Sequence, residues 1–206
     1  MAKKEAPITT LSSYLPPNTF DGVLNFLHLY GVHLTIAKDR KSILGDYRHR
    51  TTDRNHRISV NGNLNQYAFL ITLLHELAHL LTFEKWGNKV QAHGQEWKLV
   101  FGQLLTQFVT QKVFPVALEK VLLQSIANPA ASSCADEKLL KALKQYDTYT
   151  SHLVMVENIT EGMLFKTDDG RVFKKGEKVR KRYKCVEVSS GKLYLFSPVY
   201  DVALIN

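Results

Sequence analysis

The sequence predicts an α+β fold in which helices pack on a small antiparallel sheet and a small β-barrel-like module follows. Three observations favour this class. Three stretches of alternating polarity precede a group of helical segments, one of those segments is apolar on every side, and short strand-like runs occupy the chain from about residue 151. With 206 residues, 45% of them hydrophobic, the chain can bury a core of ordinary size.

The chain divides into three parts. We expect residues 1–17 to be a flexible N-terminal arm that ends at Pro16 and Pro17, residues 18–147 to form the helix-and-sheet domain, and residues 150–206 to form a C-terminal β domain. A small-residue segment with a proline, NPAASS, separates the last two predicted helices of the larger domain.

The larger domain begins with a helix and a sheet. Asn18 or Thr19 can cap the first helix, whose apolar positions recur at helical spacing until Gly31 ends it. Three stretches then alternate in polarity and are joined by short, turn-rich links, which predicts an antiparallel sheet. These stretches are VHLTIA, SILGDYR and HRISVNG.

A long apolar helix follows the sheet. We expect it to begin near Asn63 or Asn65, which are both good N-cap residues, and to end at Gly87. Twelve of the seventeen residues from 67 to 83 are apolar and cover every side of the helical wheel, so this helix should be buried. Three further helices follow: one after His93, then PVALEKVLLQSI and ADEKLLKALKQY.

The C-terminal part has a pattern typical of β structure. Asp169 and Gly170 form a strong hairpin-turn signal. The runs that predict strands are HLVMVENI, MLFKT, RVFKK, VRKRYKCVEV, KLYLFSP and YDVALI. We expect them to form a small barrel or a curled sheet.

The composition indicates a folded protein without a membrane span. The N-terminal sequence MAKKEAPITT has no apolar stretch behind its charges, so we expect no secretory signal. The longest apolar region contains His75, Glu76 and His79, which would be costly in lipid. Two cysteines, Cys134 and Cys185, are too few for a disulfide framework, and we expect free thiols in a reducing, cytoplasmic location.

The positive charge makes polyanions plausible partners, nucleic acid first. The net charge is +8, and basic residues concentrate in YRHRTTDRNHR and KKGEKVRKRYK. Because Tyr183 and Phe173 lie among the charges of the second cluster, one interpretation is a groove that binds phosphates and stacks a base. A solvated strand face is the alternative. The candidate nucleic-acid contacts are Arg48, Arg50, Lys174, Lys175, Lys178, Arg180, Lys181 and Arg182.

The most specific signal is the pattern H-E-x-x-H, formed by His-Glu-Leu-Ala-His at residues 75–79. Four residues advance a helix by about 400°, so the rings of His75 and His79 lie about 40° apart on one face and about 6 Å apart along the axis. Both rings can therefore bind one metal ion. Glu76 projects about 100° away from His75, where it can reach a water on the metal as a general base.

Zinc suits this pattern, because a catalytic Zn²⁺ site has three protein ligands and one open position for water. The downstream candidates for the third ligand are Glu84, His93 and Glu96. Glu84 lies on the same helix and cannot easily bend back, whereas Glu96 would imitate sites with two histidines and one glutamate. We favour His93, because it lies in a loop after Gly87 that can return the chain to the site.

The two segments HELAH and HGQEW, in this order and spacing, resemble the SprT-like zinc metallopeptidases, the group that includes Spartan. The resemblance covers about residues 18–125. It implies a zincin-like metalloprotease domain in which His75, His79 and His93 bind zinc and Glu76 is the catalytic base. Many members end in a four-cysteine zinc ribbon, but the tail here has one cysteine, so we predict a β domain without a ribbon.

Together these features predict a zinc metalloendopeptidase, which hydrolyses peptide bonds with a zinc-bound water that Glu76 activates. The expected partner is a protein or peptide substrate, and the resemblance implies DNA-associated proteins as substrates and DNA as a further partner. The main alternative is a nucleic-acid-binding protein whose metal site is structural and catalytically silent. In a further alternative, the C-terminal module is a protein-recognition barrel.

Overall fold

The computed structural model describes residues 6–40, 43–127, 136–147 and 152–205. The chain forms two compact units, Met1–Asp147 and Thr148–Asn206. Each unit has its own hydrophobic core. The predicted free thiol at position 134 and the predicted NPAASS linker lie outside the described residues.

The first unit begins with a 3-10 helix, Ile8–Tyr14. Leu11 and Leu15 are each only 2% exposed and belong to the core. The Gln66 side chain also donates a hydrogen bond to the Ser13 carbonyl. The prediction of a flexible arm is therefore wrong for residues 8–15, because two leucines of this segment are buried.

A helix and a three-stranded sheet follow. Helix α1 is Phe20–Leu29, and the strands are β1 His33–Ala37, β2 Gly45–Arg48 and β3 Arg57–Asn61. The sheet order is β1–β3–β2, with β1 parallel and β2 antiparallel to β3. The three strands are confirmed, but the prediction of a purely antiparallel sheet is wrong.

The mixed pairing arises because the segment after β1 crosses to the far side of β3. The guanidinium of Arg40 donates hydrogen bonds to Asn61 Oδ1 at 2.7 Å and to Ser59 Oγ at 3.0 Å. These contacts attach the crossing segment to β3. As a result, β2 enters the sheet at the opposite edge from β1.

The buried helix lies at the centre of the first unit. Helix α2 spans Gln66–Trp86, and the Asn65 side chain caps it by accepting a hydrogen bond from the Ala68 N–H at 3.0 Å. Gly87 ends it with a φ of +61°, which favours glycine. Thirteen of its residues are buried, which confirms the predicted buried helix. The remaining helices are α3 Gln95–Thr110, α4 Val116–Ala127 and α5 Glu137–Lys144.

The second unit is a curled sheet of six antiparallel strands, as the sequence predicts. Its core contains Phe165, Phe173 and Cys185. The strand order is β4–β9–β5–β6–β7–β8. The strands are β4 Leu153–Met155, β5 Leu164–Lys166, β6 Val172–Val179, β7 Arg182–Glu187, β8 Leu193–Phe196 and β9 Asp201–Leu204.

Among the described helices, none combines the length and the hydropathy that crossing a bilayer requires.

Candidate metal centre

Three histidines converge at the surface of α2. His75 and His79 lie one turn apart on this helix, and His93 lies in the loop before α3. The Nε2 atom of His75 is 3.2 Å from Nε2 of His79 and 3.3 Å from Nε2 of His93. Ligand nitrogens at about 2.0–2.1 Å from a tetrahedral zinc ion would themselves lie about 3.3 Å apart. The spacing therefore fits a metal ion held by these three rings.

The loop after α2 brings His93 back to the helix. It reverses at Gly87, and the Gly94 N–H donates a hydrogen bond to the Gln91 carbonyl at 3.0 Å just before α3 begins. Trp97, on the first turn of α3, is fully buried. Its ring meets the rings of His75 and His93 edge-on, with centroids 4.7 and 4.8 Å apart. Trp97 therefore packs the rings into their converging orientation.

The environment keeps the three rings neutral. Burial lowers the pKa of His75 to about 3 and that of His79 to about 4, and charge repulsion from the neighbouring histidines adds to both shifts. Burial also lowers the pKa of His93. Neutral imidazole is the form that binds metal. The donor set is thus competent for a borderline cation such as Zn²⁺.

Glu76 is buried beside this cluster. Burial, together with a smaller contribution from the charge of Asp46, raises the pKa of its carboxyl to about 8, and Arg40 opposes the shift. A divalent cation at the histidines would lower this pKa, because a nearby positive charge favours the carboxylate. Strand β2 approaches the carboxyl so closely that a Cβ placed on Gly45 would lie 2.5 Å from Glu76 Oε1.

The cluster opens into a cleft of about 610 Å³. One wall is β2, the floor is α2, and the loop that carries His93 forms the other side. Its lining includes Gly45, Tyr47 and Thr72 together with Glu76. This volume lies within the usual range for a ligand site, about 300–1,000 Å³.

A network beside the cleft was not predicted from the sequence. The Tyr47 hydroxyl lies 2.9 Å from His56 Nδ1, and the Arg50 N–H donates to the same nitrogen at 3.3 Å. His56 Nε2 lies 3.2 Å from one carboxylate oxygen of Glu84, whose other oxygen pairs with the Arg50 guanidinium at 3.2 Å. Burial lowers the pKa of His56 and raises that of Tyr47. Only the excess of polar residues in a hairpin near H-E-x-x-H could have indicated this network.

The structure shows which of the three candidates for the third ligand lies near His75 and His79. Within the described residues, His75, His79 and His93 form the group that can share an ion, and neither Glu84 nor Glu96 belongs to it. Glu84 is instead engaged by Arg50 and His56. The convergence of His93 agrees with the favoured choice, while its role as a ligand stays a prediction.

The candidate nucleic-acid contacts are divided between the two units. Arg48 and Arg50 belong to the first unit, where Arg48 pairs with Asp46 at 2.9 Å and Arg50 pairs with Glu84. Those of the second unit are exposed on β6, on β7 or in the turn between them, apart from Lys175. The exposed members of this group are Lys174, Lys178, Arg180, Lys181 and Arg182.

The position of the Lys175 side chain contradicts the prediction that this residue binds nucleic acid. Its side chain is 5% exposed, and Nζ donates hydrogen bonds to the backbone carbonyls of Glu157 and Ile159. The predicted stacking rings are also unsuitable, because Phe173 is fully buried and Tyr183 packs against the core under the ammonium of Lys175. Burial removes Lys175 and Phe173 from contact with a polyanion, and the partly buried Tyr183 is covered by the ammonium of Lys175.

Fold and site together define an α+β domain with a candidate three-histidine metal centre. Residues 17–118 match the model of the SprT-like family. Through this domain the chain belongs to the SprT-like family, which confirms the resemblance inferred from the motifs.

Matches to individual relatives are short. A 37-residue segment is 51% identical to protein SprT of Pseudomonas entomophila and 49% identical to protein SprT of Pseudomonas putida. Each match covers 18% of this chain and 23% of the relative, so the similarity spans less than a quarter of the length of these curated relatives. No solved structure matches the chain.

Proposed function

We propose that this protein is a zinc-dependent metallopeptidase with a zincin-like catalytic domain. The observation that carries the proposal is the convergence of three neutral histidine Nε2 atoms next to the buried Glu76, in an open cleft. Membership of the SprT-like family supports it. A purely structural zinc site would use four protein ligands, whereas this cluster offers three in the described part of the chain.

Each residue of the cluster has a role in this proposal. His75, His79 and His93 would hold the zinc ion through Nε2. When bound, the ion would supply Lewis-acid chemistry, which polarises a carbonyl and lowers the pKa of water. Glu76 is the general base: its carboxylate accepts a proton from the attacking water and then donates that proton to the leaving amine.

The cleft supports an extended peptide as the substrate. Strand β2 forms one wall and pairs with β3 alone among the described strands, so it is an edge strand of the sheet. An extended chain can add to such an edge through main-chain hydrogen bonds. A scissile bond held there would lie beside Glu76, which β2 contacts at Gly45.

Glu76→Gln tests the proposed base. The variant should keep zinc, measured by elemental analysis of the dialysed protein, and should lose cleavage of a casein substrate, because an amide cannot accept the proton. Glu96→Gln is the matched control, since Glu96 lies three residues after His93 but outside the histidine cluster. Undiminished cleavage by Glu76→Gln, with Glu96→Gln equally active, would remove the proposed base.

We further propose that the substrates include DNA-associated proteins. Three exposed basic residues lie in the turn between β6 and β7 and at the start of β7, namely Arg180, Lys181 and Arg182, and they support contact with phosphates. Affinity for a DNA duplex should fall steeply as salt rises, and replacing these three residues by glutamine should reduce the slope. If the protein binds DNA but neither the wild type nor Glu76→Gln cleaves casein, the alternative is favoured, a nucleic-acid-binding protein with a silent metal site.

A further inference from the structure

The outer face of strands β6, β7 and β8 in the second unit carries exposed aliphatic side chains. On β8, Leu193 and Leu195 are each 58% exposed, while Tyr194 and Phe196 alternate with them and pack on the core. Val186 lies directly opposite Leu193 on β7 and is exposed as well. A contiguous apolar patch on one sheet face is a candidate interaction site.

Lysines flank this aliphatic patch. Lys174 lies opposite Val186, and Lys184 lies opposite Leu195, so both are on the same face as the leucines. From residue 172 to residue 196 there are eight lysines and arginines and two acidic residues, Glu177 and Glu187. Glu187 is buried and lies near Arg171. The patch is therefore aliphatic at its centre and basic at its margin.

The patch ends at a strand edge. Strand β8 is the last strand of the sheet and pairs with β7 alone among the described strands. The backbone N–H and C=O groups on its outer side can therefore receive another extended chain.

We propose that the β8 edge and its outer face bind an extended, acidic segment of a partner protein. The segment pairs with β8 through its backbone. On the outer face it places apolar side chains beside Leu193 and Leu195 and a carboxylate within reach of Lys184 on the neighbouring strand. Charge complementarity selects an acidic partner. This inference is independent of the proposed peptidase chemistry.

Other occupants fit this face less well. Two copies of the chain joined face to face would bring their lysines together, which opposes self-association. Single-stranded nucleic acid requires rings on which bases stack, but the aromatic rings of β7 and β8, Tyr183, Tyr194 and Phe196, pack on the core side of the sheet. An anionic membrane provides no strand to pair with β8.

The test uses the full chain and a fluorescent peptide in which leucine and glutamate take turns at every second residue, with threonine between them, so that both face the same side of an added strand. Binding is followed by anisotropy. The peptide should bind, and Leu195→Ser and Lys184→Glu should each weaken binding by about tenfold or more, a change of about 1.4 kcal/mol. The matched controls are Leu99→Ser, at a leucine that is also 58% exposed but lies on α3, and Lys120→Glu on α4. Both controls should leave binding unchanged.

Further measurements distinguish strand pairing from side-chain contact, and an acidic peptide from other binding partners. Bound peptide should slow amide hydrogen exchange in β8, because strand pairing engages its outer N–H groups, whereas contact with side chains alone would not. The proposal would be overturned by the absence of peptide binding, by binding that Leu195→Ser and Lys184→Glu do not weaken, or by a Leu195-dependent dimer in light scattering. Binding of oligothymidine or phosphatidylserine vesicles through this face, in preference to the peptide, would equally overturn it.

Discussion

Gly45 on β2 lies directly against Glu76 on α2. A Cβ at position 45 would sit 2.5 Å from Glu76 Oε1 and 2.8 Å from a methyl carbon of Thr72, closer than atoms can approach. Strand β2, the wall of the cleft, therefore packs directly against the proposed base Glu76, and only glycine at position 45 leaves room for this contact. A change at Gly45 should act on Glu76 without touching the histidines.

Gly45→Ala should lower peptidase kcat/KM by about tenfold or more, because the new methyl group displaces the Glu76 carboxylate or pushes β2 away, and small misplacements of a reacting group are costly. Zinc content should stay unchanged. Gly102→Ala is the control, since the nearest atom to a Cβ there is 3.8 Å away. If Gly45→Ala is as active as Gly102→Ala, the close approach has no role in catalysis.

His93→Ala should weaken zinc binding by more than about tenfold, because one of three converging nitrogens is lost. Competition with a chromogenic chelator measures the affinity. His49→Ala is a suitable control, because His49 lines the same cleft but stacks on Phe83 and lies outside the histidine cluster. Equal zinc affinity of the two variants would contradict a ligand role for His93.

The metal-free protein should have a stability maximum near pH 6.5 that arises from the site. In the folded protein the pKa values of His75 and His79 are lowered to about 3 and about 4, whereas histidine in the unfolded chain has its ordinary pKa of 6.5. Below pH 6.5 the unfolded chain therefore binds more protons than the folded protein, and stability falls as the pH drops. Glu76, with its pKa raised to about 8, keeps a proton that the unfolded chain releases, so stability also falls as the pH rises from 6.5 to 8.

Urea unfolding of chelator-treated protein at pH 5, 6.5 and 8 measures this effect. Glu76→Gln cannot ionise, so the decline between pH 6.5 and 8 should disappear in this variant while the decline in acid remains. A decline above pH 6.5 of the same size in both proteins would show that Glu76 is not its source.

Tyr47→Phe should lower the free energy of unfolding by about 1 kcal/mol, because His56 Nδ1 loses the hydroxyl contact at 2.9 Å in a partly buried setting. Chemical denaturation measures the change. Tyr30→Phe is the control, since the Tyr30 hydroxyl has no hydrogen bond in the described part of the chain. A loss no larger than that of Tyr30→Phe would mean that the Tyr47 hydroxyl does not stabilise the network.

Local patterns in the sequence were enough to predict much of this protein. The spacing of His75 and His79 is set by the helical repeat, and the ends of α2 are set by Asn65 and Gly87, so both could be predicted from neighbouring residues. The same is true of the strands, because alternating polarity is a local property.

Contacts between distant segments required the tertiary structure. The parallel pairing of β1 with β3 joins His33 to Arg57, which are far apart in the sequence. The engagement of Glu84 by Arg50 and His56 likewise joins α2 to the segment around β2. Lys175 lies in a basic run, yet its place in the sheet turns it inward to backbone carbonyls. The sequence specifies which side chains are present. Which of them come into contact is determined by long-range packing, because burial and strand pairing depend on residues far apart in the chain.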